Sequence, residues 1–457
     1  MKKLLLILTV LISTPCLGQN LEGSWKGIIE IQGTKLNLVF NFKESGGNWS
    51  ATMDSPDQGG FGIPMDEVTI NQNKVLVKSK ALQLTYEGTI TKDCIEGIFQ
   101  QSFLQVPLNL KCDTSEASQR PQEPQPPFPY QIENISFPSL DKSITLSGTL
   151  TLPDDLKKHP AVVLIAGSGP ANRDEEIFGH KPFAVIADYL TRQGLAVLRY
   201  DKRGIGESTG SLRKATTLNL AEDVEASIQF LRNHPNIQSN NIGLIGHSEG
   251  GIIAPMVASR DQAISFIVLL AAPGMTGKQI LKKQNEESIQ RSPITNDQKT
   301  KALNVAVQYL DYLAQTSSEG TSTEALHNTL DSIISINLAE DIFPQVSREE
   351  MIKSTNNNWI IYFLNLDPSE YLKKVHCPIL ALNGTKDIQV EANSNLERIE
   401  SSVKNKELLT VKKYLNLNHL FQKAETGAIN EYAQIQETFS EDVLKDILTW
   451  ISRYIKF

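Results

Sequence analysis

A short apolar segment that leads into a glycine-rich hexapeptide constrains this chain more than any other feature. The segment contains Ile242, Leu244 and Ile245, and residues 246–251 then read GHSEGG. This is the G-x-S-x-G pattern, in which flanking glycines let a strand and a helix approach closely while the serine lies on a strained turn. The apolar residues that follow suit a buried helix. The sequence therefore predicts a strand, a nucleophile elbow at Ser248 and a helix; a glycine-rich turn with an ordinary serine is the alternative.

Changes in composition divide the chain into segments. Its 457 residues predict about two to three domains. Residues 1–18 contain two lysines, an apolar run and a final small residue, which predicts a signal peptide cleaved after Gly18. Residues 113–130 are rich in proline, glutamine and serine and predict an extended linker. We expect a small antiparallel β domain over residues 19–112 and a second domain over residues 131–457.

The N-terminal segment predicts export, either to the periplasm or out of the cell. Its apolar run is about half the ~20 residues that a spanning helix needs, and no later segment supplies one, so no transmembrane segment is predicted. A lipoprotein anchored through Cys16 is the alternative, although the preceding Ser-Thr-Pro is a poor match to a lipidation signal. The net charge of −8 does not favour binding to nucleic acid. The sequence leaves the oligomeric state open.

The β domain is predicted from period-two alternation of apolar residues, for example at Leu36, Leu38, Phe40 and Phe42. A barrel and a sandwich are both compatible with this pattern.

The cysteines leave two alternatives open. Cys94 and Cys112 lie in the same predicted β domain, so an oxidising compartment would allow a disulfide between them, and two buried thiols are the alternative. No C-x-x-C motif or His/Cys cluster is present, so no structural zinc site is predicted.

Beyond the linker, strands and helices alternate as in a mostly parallel sheet covered on both faces. We predict strands over residues 144–152, 161–165, 196–200, 264–270 and 379–382, and helices over residues 183–190 and 220–231. Residues 274–374 interrupt this alternation with a helical stripe, which predicts a cap inserted into the sheet. An aromatic stretch at residues 359–364 suits either the wall of an acyl pocket or the core of the cap.

A serine nucleophile needs a histidine base and a carboxylate that orients it, and in this fold class the chain order is serine, acid, histidine. Of the histidines after Ser248, His327 lies in the predicted cap and His376 precedes a strand, at the wrong end of the sheet. His419 remains, in a loop after the alternating stretch at residues 408–415 that predicts the last strand.

The acid is expected at the end of the strand before this histidine. Asp387 follows the strand predicted at residues 379–382 and is the expected acid. Glu391 lies one turn further and is the alternative, whereas Asp367 precedes the strand.

An oxyanion that develops during acyl transfer needs backbone N–H donors. The residue after the nucleophile, Glu249, is expected to supply one of them. The loop after the strand at residues 161–165 reads AGSGP, and the backbone of Ser168 is the expected second donor, with Gly169 next. A simple tight turn is the alternative.

Together these motifs resemble the α/β-hydrolase fold, and more narrowly bacterial secreted esterases of the serine aminopeptidase-like group. The similarity spans residues 131–457 and includes the elbow, GSGP at 167–170, DKRGIGES at 201–208, NG at 383–384 and NHLFQ at 418–422. The resemblance implies that Asp201 and Arg203 are scaffold beside the site. Many relatives carry His-Gly where this chain has Ala166-Gly167, but backbone donors do not need that histidine.

The resemblance implies a serine hydrolase that cleaves small-molecule carboxylic esters through an acyl-enzyme, without a metal or an organic cofactor. A serine peptidase or amidase of the same fold is one alternative, because the fold does not settle the substrate. A binding protein, in which the β domain captures a lipid or glycan beside an inactive hydrolase domain, is another. The presence of Ser248, Asp387 and His419 in the expected order favours an enzyme.

Overall fold

The computed structural model describes residues 21–31, 34–55, 60–80, 82–91, 94–101, 104–112, 120–155, 157–316 and 322–456. The predicted signal peptide and the first part of the predicted linker lie outside these ranges. The chain divides into two compact units, Met1–Ala117 and Ser118–Phe457.

The described part of the first unit is a single antiparallel sheet. Its strands in chain order are β1 (Gly23–Ile31), β2 (Thr34–Ser45), β3 (Asn48–Ser55), β4 (Gly60–Pro64), β5 (Glu67–Asn71), β6 (Lys74–Ser79), β7 (Leu84–Ile90), β8 (Cys94–Gln101) and β9 (Leu104–Cys112). They are arranged in the order β4-β3-β2-β1-β9-β8-β7-β6-β5. The first strand therefore pairs with the last. At the β4–β5 corner, Met65 N–H donates to β3 and Asp66 N–H to β6, so the sheet curves into the barrel form rather than a sandwich.

The alternation predicted in β2 places Leu38, Phe40 and Phe42 in the core of this unit. The Phe40 ring stacks on Tyr86, whose hydroxyl donates to backbone carbonyls of the neighbouring strands. Because inward side chains alternate with outward ones along each strand, one face of the sheet forms this core and the other is polar.

Cys94 and Cys112 carry free thiols. Cys94 lies opposite Lys111 in the β8–β9 ladder, so Cys112, the next residue, faces the other side of the sheet. This register cannot bring the two sulfurs together, and the disulfide is absent. The alternative of two buried thiols is also wrong, because Cys94 is half-buried and Cys112 is exposed.

The second unit is built on a mostly parallel sheet. Its strands are β10 (Tyr130–Pro138), β11 (Thr145–Pro153), β12 (His159–Ile165), β13 (Ala196–Tyr200), β14 (Ile237–His247), β15 (Ile264–Leu270), β16 (Ile379–Gly384) and β17 (Leu409–Tyr414). They follow the order β10-β11-β13-β12-β14-β15-β16-β17, with antiparallel pairing only where β11 meets β10 and β13. The predicted fold class is confirmed; β10 is an additional strand that extends the sheet edge.

Helices cover both faces of this sheet and form an insertion between β15 and β16. They are α1 (Pro182–Arg192), α2 (Thr217–Asn233), α3 (Gly250–Ala258), α4 (Gly277–Arg291), α5 (Asn296–Gln315), α6 (Thr323–Ile336), α7 (Gln345–Thr355), α8 (Asn358–Leu364), α9 (Ser369–Leu372), α10 (Ala392–Ser402) and α11 (Glu441–Ile451). No helix in the described ranges has both the length and the apolar character needed to cross a bilayer.

Helices α4 to α9 form the predicted cap, which has an apolar core of its own. Within the aromatic stretch of α8, Ile360, Phe363 and Leu364 are buried, so half of this segment packs inside the protein. Trp359 stacks on Phe363 and contacts the site described below.

Part of the predicted linker is packed against the second unit. The Arg120 guanidinium donates to the carbonyls of Phe178, Gly179, Ala433 and Ile435, and the Gln122 amide donates to Phe439 O. These side-chain hydrogen bonds hold Arg120 and Gln122 in place, although composition alone predicts an extended linker for this segment.

Candidate active site

Ser248 lies on a tight turn between β14 and α3. Its φ is +53°, a left-handed conformation that non-glycine residues seldom adopt. The flanking glycines are required by contact: a Cβ on Gly246 would lie 2.0 Å from Gly250 O, and one on Gly250 would lie 2.0 Å from Ile165 O. Ser248 is half-exposed, and its N–H donates to Leu270 O at 2.8 Å. The turn thus has the geometry of a nucleophile elbow.

Asp387 and His419 form a buried pair at the carboxyl ends of β16 and β17. His419 Nδ1 lies 2.7 Å from Asp387 Oδ2. The other oxygen, Oδ1, accepts the N–H groups of Gln389 and Val390, each at 2.8 Å. The Asp387 side chain is wholly buried, so these three bonds determine its orientation.

The alternative acids and histidines have other partners or positions. Glu391 accepts backbone N–H groups at the start of α10 and pairs with Lys283, and these bonds, which outweigh burial, lower its pKa to about 2. Asp367 accepts the N–H of Ser369 at the start of α9. His327 lies on α6 in the cap and His376 is exposed before β16. None of them is hydrogen-bonded to the side chains of the Asp387–His419 pair within the described residues.

Within the described ranges, neither the Ser248 hydroxyl nor His419 Nε2 makes a hydrogen bond. The elbow and the His419 loop are nevertheless adjacent, because the ring of His247, the residue before the serine, lies 4.8 Å from the His419 ring between centroids. Serine–histidine bonds in hydrolases are often long in the absence of substrate.

The loop after β12 lies directly beside the nucleophile. A Cβ on Gly167 would be 3.0 Å from Ser248 Cβ. Gly167 N–H donates to Glu175 Oε1 at 2.6 Å, whereas the next N–H, that of Ser168, donates to no group in the described part of the chain. Ser168 is exposed.

Glu249 follows the nucleophile, and its carboxylate is buried, 1% exposed. Oε1 accepts from the Thr217 hydroxyl and from the Trp359 indole of the cap, each at 2.7 Å. Oε2 has no hydrogen-bond partner and lies 3.9 Å from Lys202 Nζ. The backbone N–H of Glu249 donates to no described group. These contacts connect the elbow to the cap and to the loop that contains Lys202.

A second carboxylate–histidine pair lies beside the first. His247 Nδ1 is 3.0 Å from Glu175 Oε1, and Nε2 is 2.9 Å from His419 O. The His419 carbonyl can only accept, so Nε2 donates to it, and Nδ1 donates to the Glu175 carboxylate when the ring is protonated. Burial would lower the pKa of His247, but the Glu175 carboxylate opposes this, and the net shift is upward. This pair connects the elbow, the loop after β12 and the His419 loop.

The charged residues of the DKRG loop are not paired with one another. Asp201 accepts three bonds from Arg173. Arg203 makes a bidentate pair with Asp223 of α2. Both are held by other elements, as scaffold residues are. Among the described residues, no group of three or more His, Cys, Asp or Glu side chains is arranged to hold a metal.

No sequence pattern predicts that His247, Lys202 and Glu175 belong to the hydrogen-bond network around Ser248. His247 occupies a variable position of the elbow motif, and Lys202 occupies a variable position of the DKRG loop. Glu175 follows the loop after β12, and its partners Gly167 and His247 become neighbours only in the folded chain.

Comparison with known proteins gives a family match within the second unit and relatives that cover parts of the chain. Residues 181–421 match the family model described as serine aminopeptidase, S33. Esterase EstD of Thermotoga maritima is 23% identical over 325 residues, which cover 71% of this chain and 70% of that protein. Polyketide transferase af380 of Aspergillus fumigatus is 31% identical over 137 residues, which cover 30% of this chain and only 44% of that protein.

Among solved structures, that of the esterase Pf2001 of Pyrococcus furiosus covers 72% of this chain and 92% of its own, with 16% identity and a TM-score of 0.44. The family match spans more than half of the chain and includes Ser248, Asp387 and His419. The chain therefore belongs to the serine aminopeptidase S33 family of hydrolases.

Proposed function

We propose that this protein hydrolyses small-molecule carboxylic esters through an acyl-enzyme on Ser248. The observation that carries the proposal is the buried Asp387–His419 pair, with Nδ1 bonded and Nε2 unbonded within the described part of the chain, beside a serine on a strained turn.

In the acylation step, His419 acts as the base. Asp387 Oδ2 accepts from Nδ1–H, so the neutral ring has its lone pair on Nε2. Nε2 takes the proton of Ser248 Oγ as Oγ attacks the ester carbonyl. The C–O bond to the alcohol then breaks, and the imidazolium returns the proton to the departing alkoxide.

The tetrahedral intermediate carries a negative charge on the former carbonyl oxygen. In the proposal, the N–H groups of Ser168 and Glu249 bind this oxygen, since both lie next to Ser248 in space or sequence and neither donates elsewhere in the described chain. Each such donor contributes about 10²- to 10³-fold in rate. Water activated by His419 then releases the acid and regenerates the serine.

The relatives support an ester substrate without settling it. The similar Thermotoga protein is named an esterase, whereas the family description names an aminopeptidase. The same catalytic groups cleave esters and amides, so the class of leaving group must be tested directly.

The test compares p-nitrophenyl esters of increasing acyl length with aminoacyl p-nitroanilides. We expect the wild type to cleave the esters, and Ser248→Ala and His419→Ala to lose that turnover. Turnover of the anilides alone would assign the protein as a peptidase. If neither class is cleaved, the barrel unit would be tested next for ligand binding.

We also propose that the protein is exported, because residues 1–18 carry the basic and apolar regions of a signal peptide. N-terminal sequencing of the mature protein from cell fractions should begin at Gln19. A mature protein that begins at a lipidated Cys16 would identify a lipoprotein instead.

A further inference from the structure

The loop that contains Ser168 accepts hydrogen bonds from a buried ammonium group. Lys202 Nζ donates to Gly167 O and, at 3.3 Å, to Gly169 O. The Lys202 side chain is only 5% exposed. A buried lysine is costly to desolvate and is usually retained where its donors are fully used. Here they are directed at two carbonyls of one short loop.

The Gly167 carbonyl belongs to the same peptide group as the Ser168 N–H. A trans peptide is planar, so its C=O and N–H point in opposite directions. When Lys202 holds the Gly167 oxygen on one side, the Ser168 N–H is directed to the opposite side. A rotation of this peptide would break the lysine bond and turn a carbonyl oxygen towards the site.

The Lys202 ammonium group also lies near the side chain of Glu249, the other proposed donor residue. Glu249 Oε2 lies 3.9 Å from Nζ and has no hydrogen bond, while Oε1 is held by Thr217 and by Trp359 of the cap. Glu249 supplies the second N–H of the proposed oxyanion site. Lys202 therefore contacts both the loop that contains Ser168 and the carboxylate of Glu249.

We propose that Lys202 is a positioning residue that fixes the Gly167–Ser168 peptide with its N–H directed at the oxyanion, and that its pairing with Glu249 maintains this arrangement. The inference rests on the proposed function. Lys202 does not touch the substrate, so its loss weakens transition-state stabilisation rather than substrate binding.

The test measures two rates in Lys202→Met, which keeps the length and apolar stem but removes the donors. One is kcat for a p-nitrophenyl ester per active site, with sites counted by burst titration. The other is the rate at which a fluorophosphonate labels Ser248, followed by intact mass, because this reaction also develops negative charge on a phosphoryl oxygen.

We expect both rates to fall by about 10- to 100-fold, which is no more than the rate loss caused by removing one oxyanion donor. The KM should change by less than about threefold. Lys202→Arg retains donors and should recover part of the loss. Lys158→Met, at an exposed lysine away from the site, is the matched control and should behave as the wild type.

A purely structural role would lower the melting temperature and the titrated fraction of sites but leave kcat per site unchanged; that result overturns the inference. If Lys202→Met does not fold, Lys202→Leu, which also lacks the donors, should show the same selective loss of kcat, and wild-type rates in it would equally overturn the inference. Failure of the proposed function has a different signature, since the wild-type protein itself would then not turn over the ester, and without an activated serine it would also not be labelled at Ser248.

Discussion

Asp387–His419 and Glu175–His247 are two buried carboxylate–histidine pairs whose imidazole rings lie 4.8 Å apart. In the first pair, only Nδ1 is bonded within the described chain. In the second pair, both ring nitrogens have hydrogen-bond partners. A histidine acts as a general base only through an unbonded lone pair. Chemical identity and burial are thus nearly the same in the two pairs, and hydrogen-bond occupancy is what separates a proposed base from a structural histidine.

The largest effect is expected from removal of the unbonded nitrogen. His419→Ala should reduce kcat by about 10⁴- to 10⁶-fold, because Ser248 then lacks a base. Steady-state ester hydrolysis measures this, with Ser248→Ala beside it. A greater loss of kcat per folded molecule in His247→Ala than in His419→Ala would contradict this assignment of the two pairs.

Asp387→Asn should have the next largest effect, about 10³- to 10⁴-fold in kcat, since an amide can present its N–H to the ring and favour the wrong tautomer. The shape of the side chain is kept, so the melting temperature should change little. A parallel measurement on Glu391→Asn checks the assignment of the acid. Retention of full turnover in Asp387→Asn would contradict it.

Glu175→Gln should reduce kcat by no more than about tenfold, because the amide oxygen can still accept the Gly167 N–H. The Glu175 charge raises the pKa of His247, so this pair stabilises the wild type fully below the usual histidine range and less as pH rises through the raised pKa. Urea unfolding between pH 5 and pH 9 should therefore show that the free energy of unfolding of the wild type declines as pH rises, and that this decline is flatter in the variant. At the acidic end, the variant should be about 1–3 kcal/mol less stable than the wild type. An identical pH dependence in both proteins would show that the pair is not ionised.

The smallest effect on turnover is expected from Glu391→Gln, which should retain wild-type kcat near neutral pH. The pKa of Glu391 is lowered from 4.5 to about 2, so its contribution to stability is present above pH 4.5 and is lost as pH falls towards 2. The variant should lack that acid-dependent part of the unfolding free energy. A large loss of turnover instead would transfer the role of the acid to Glu391.

The sequence predicts features that depend on local pattern. Ser248 is identified by glycines two residues away on each side, and close contacts of those glycines with Gly250 O and Ile165 O explain the pattern. Asp387 and His419 are predicted from strand ends, because parallel strands gather their carboxyl ends at one edge.

Features that depend on contacts between distant residues could not be predicted. Glu175 and His247 are 72 positions apart, and Lys202 is 35 positions from Gly167. The linker is an extreme case, since Arg120 donates to carbonyls more than 300 positions away. For Cys94 and Cys112, shared location in a domain was not enough, because the sheet register places neighbouring residues on opposite faces.

Acyl-enzyme formation on Ser248 is tested most directly by measuring p-nitrophenol release in a quenched-flow instrument and then mapping the peptides of the trapped protein. We expect a burst of about one p-nitrophenol per active site and an acyl group on the peptide that contains Ser248. Neither should be seen in Ser248→Ala. Ester hydrolysis without an acyl group on Ser248, or a burst that survives in Ser248→Ala, would contradict this mechanism.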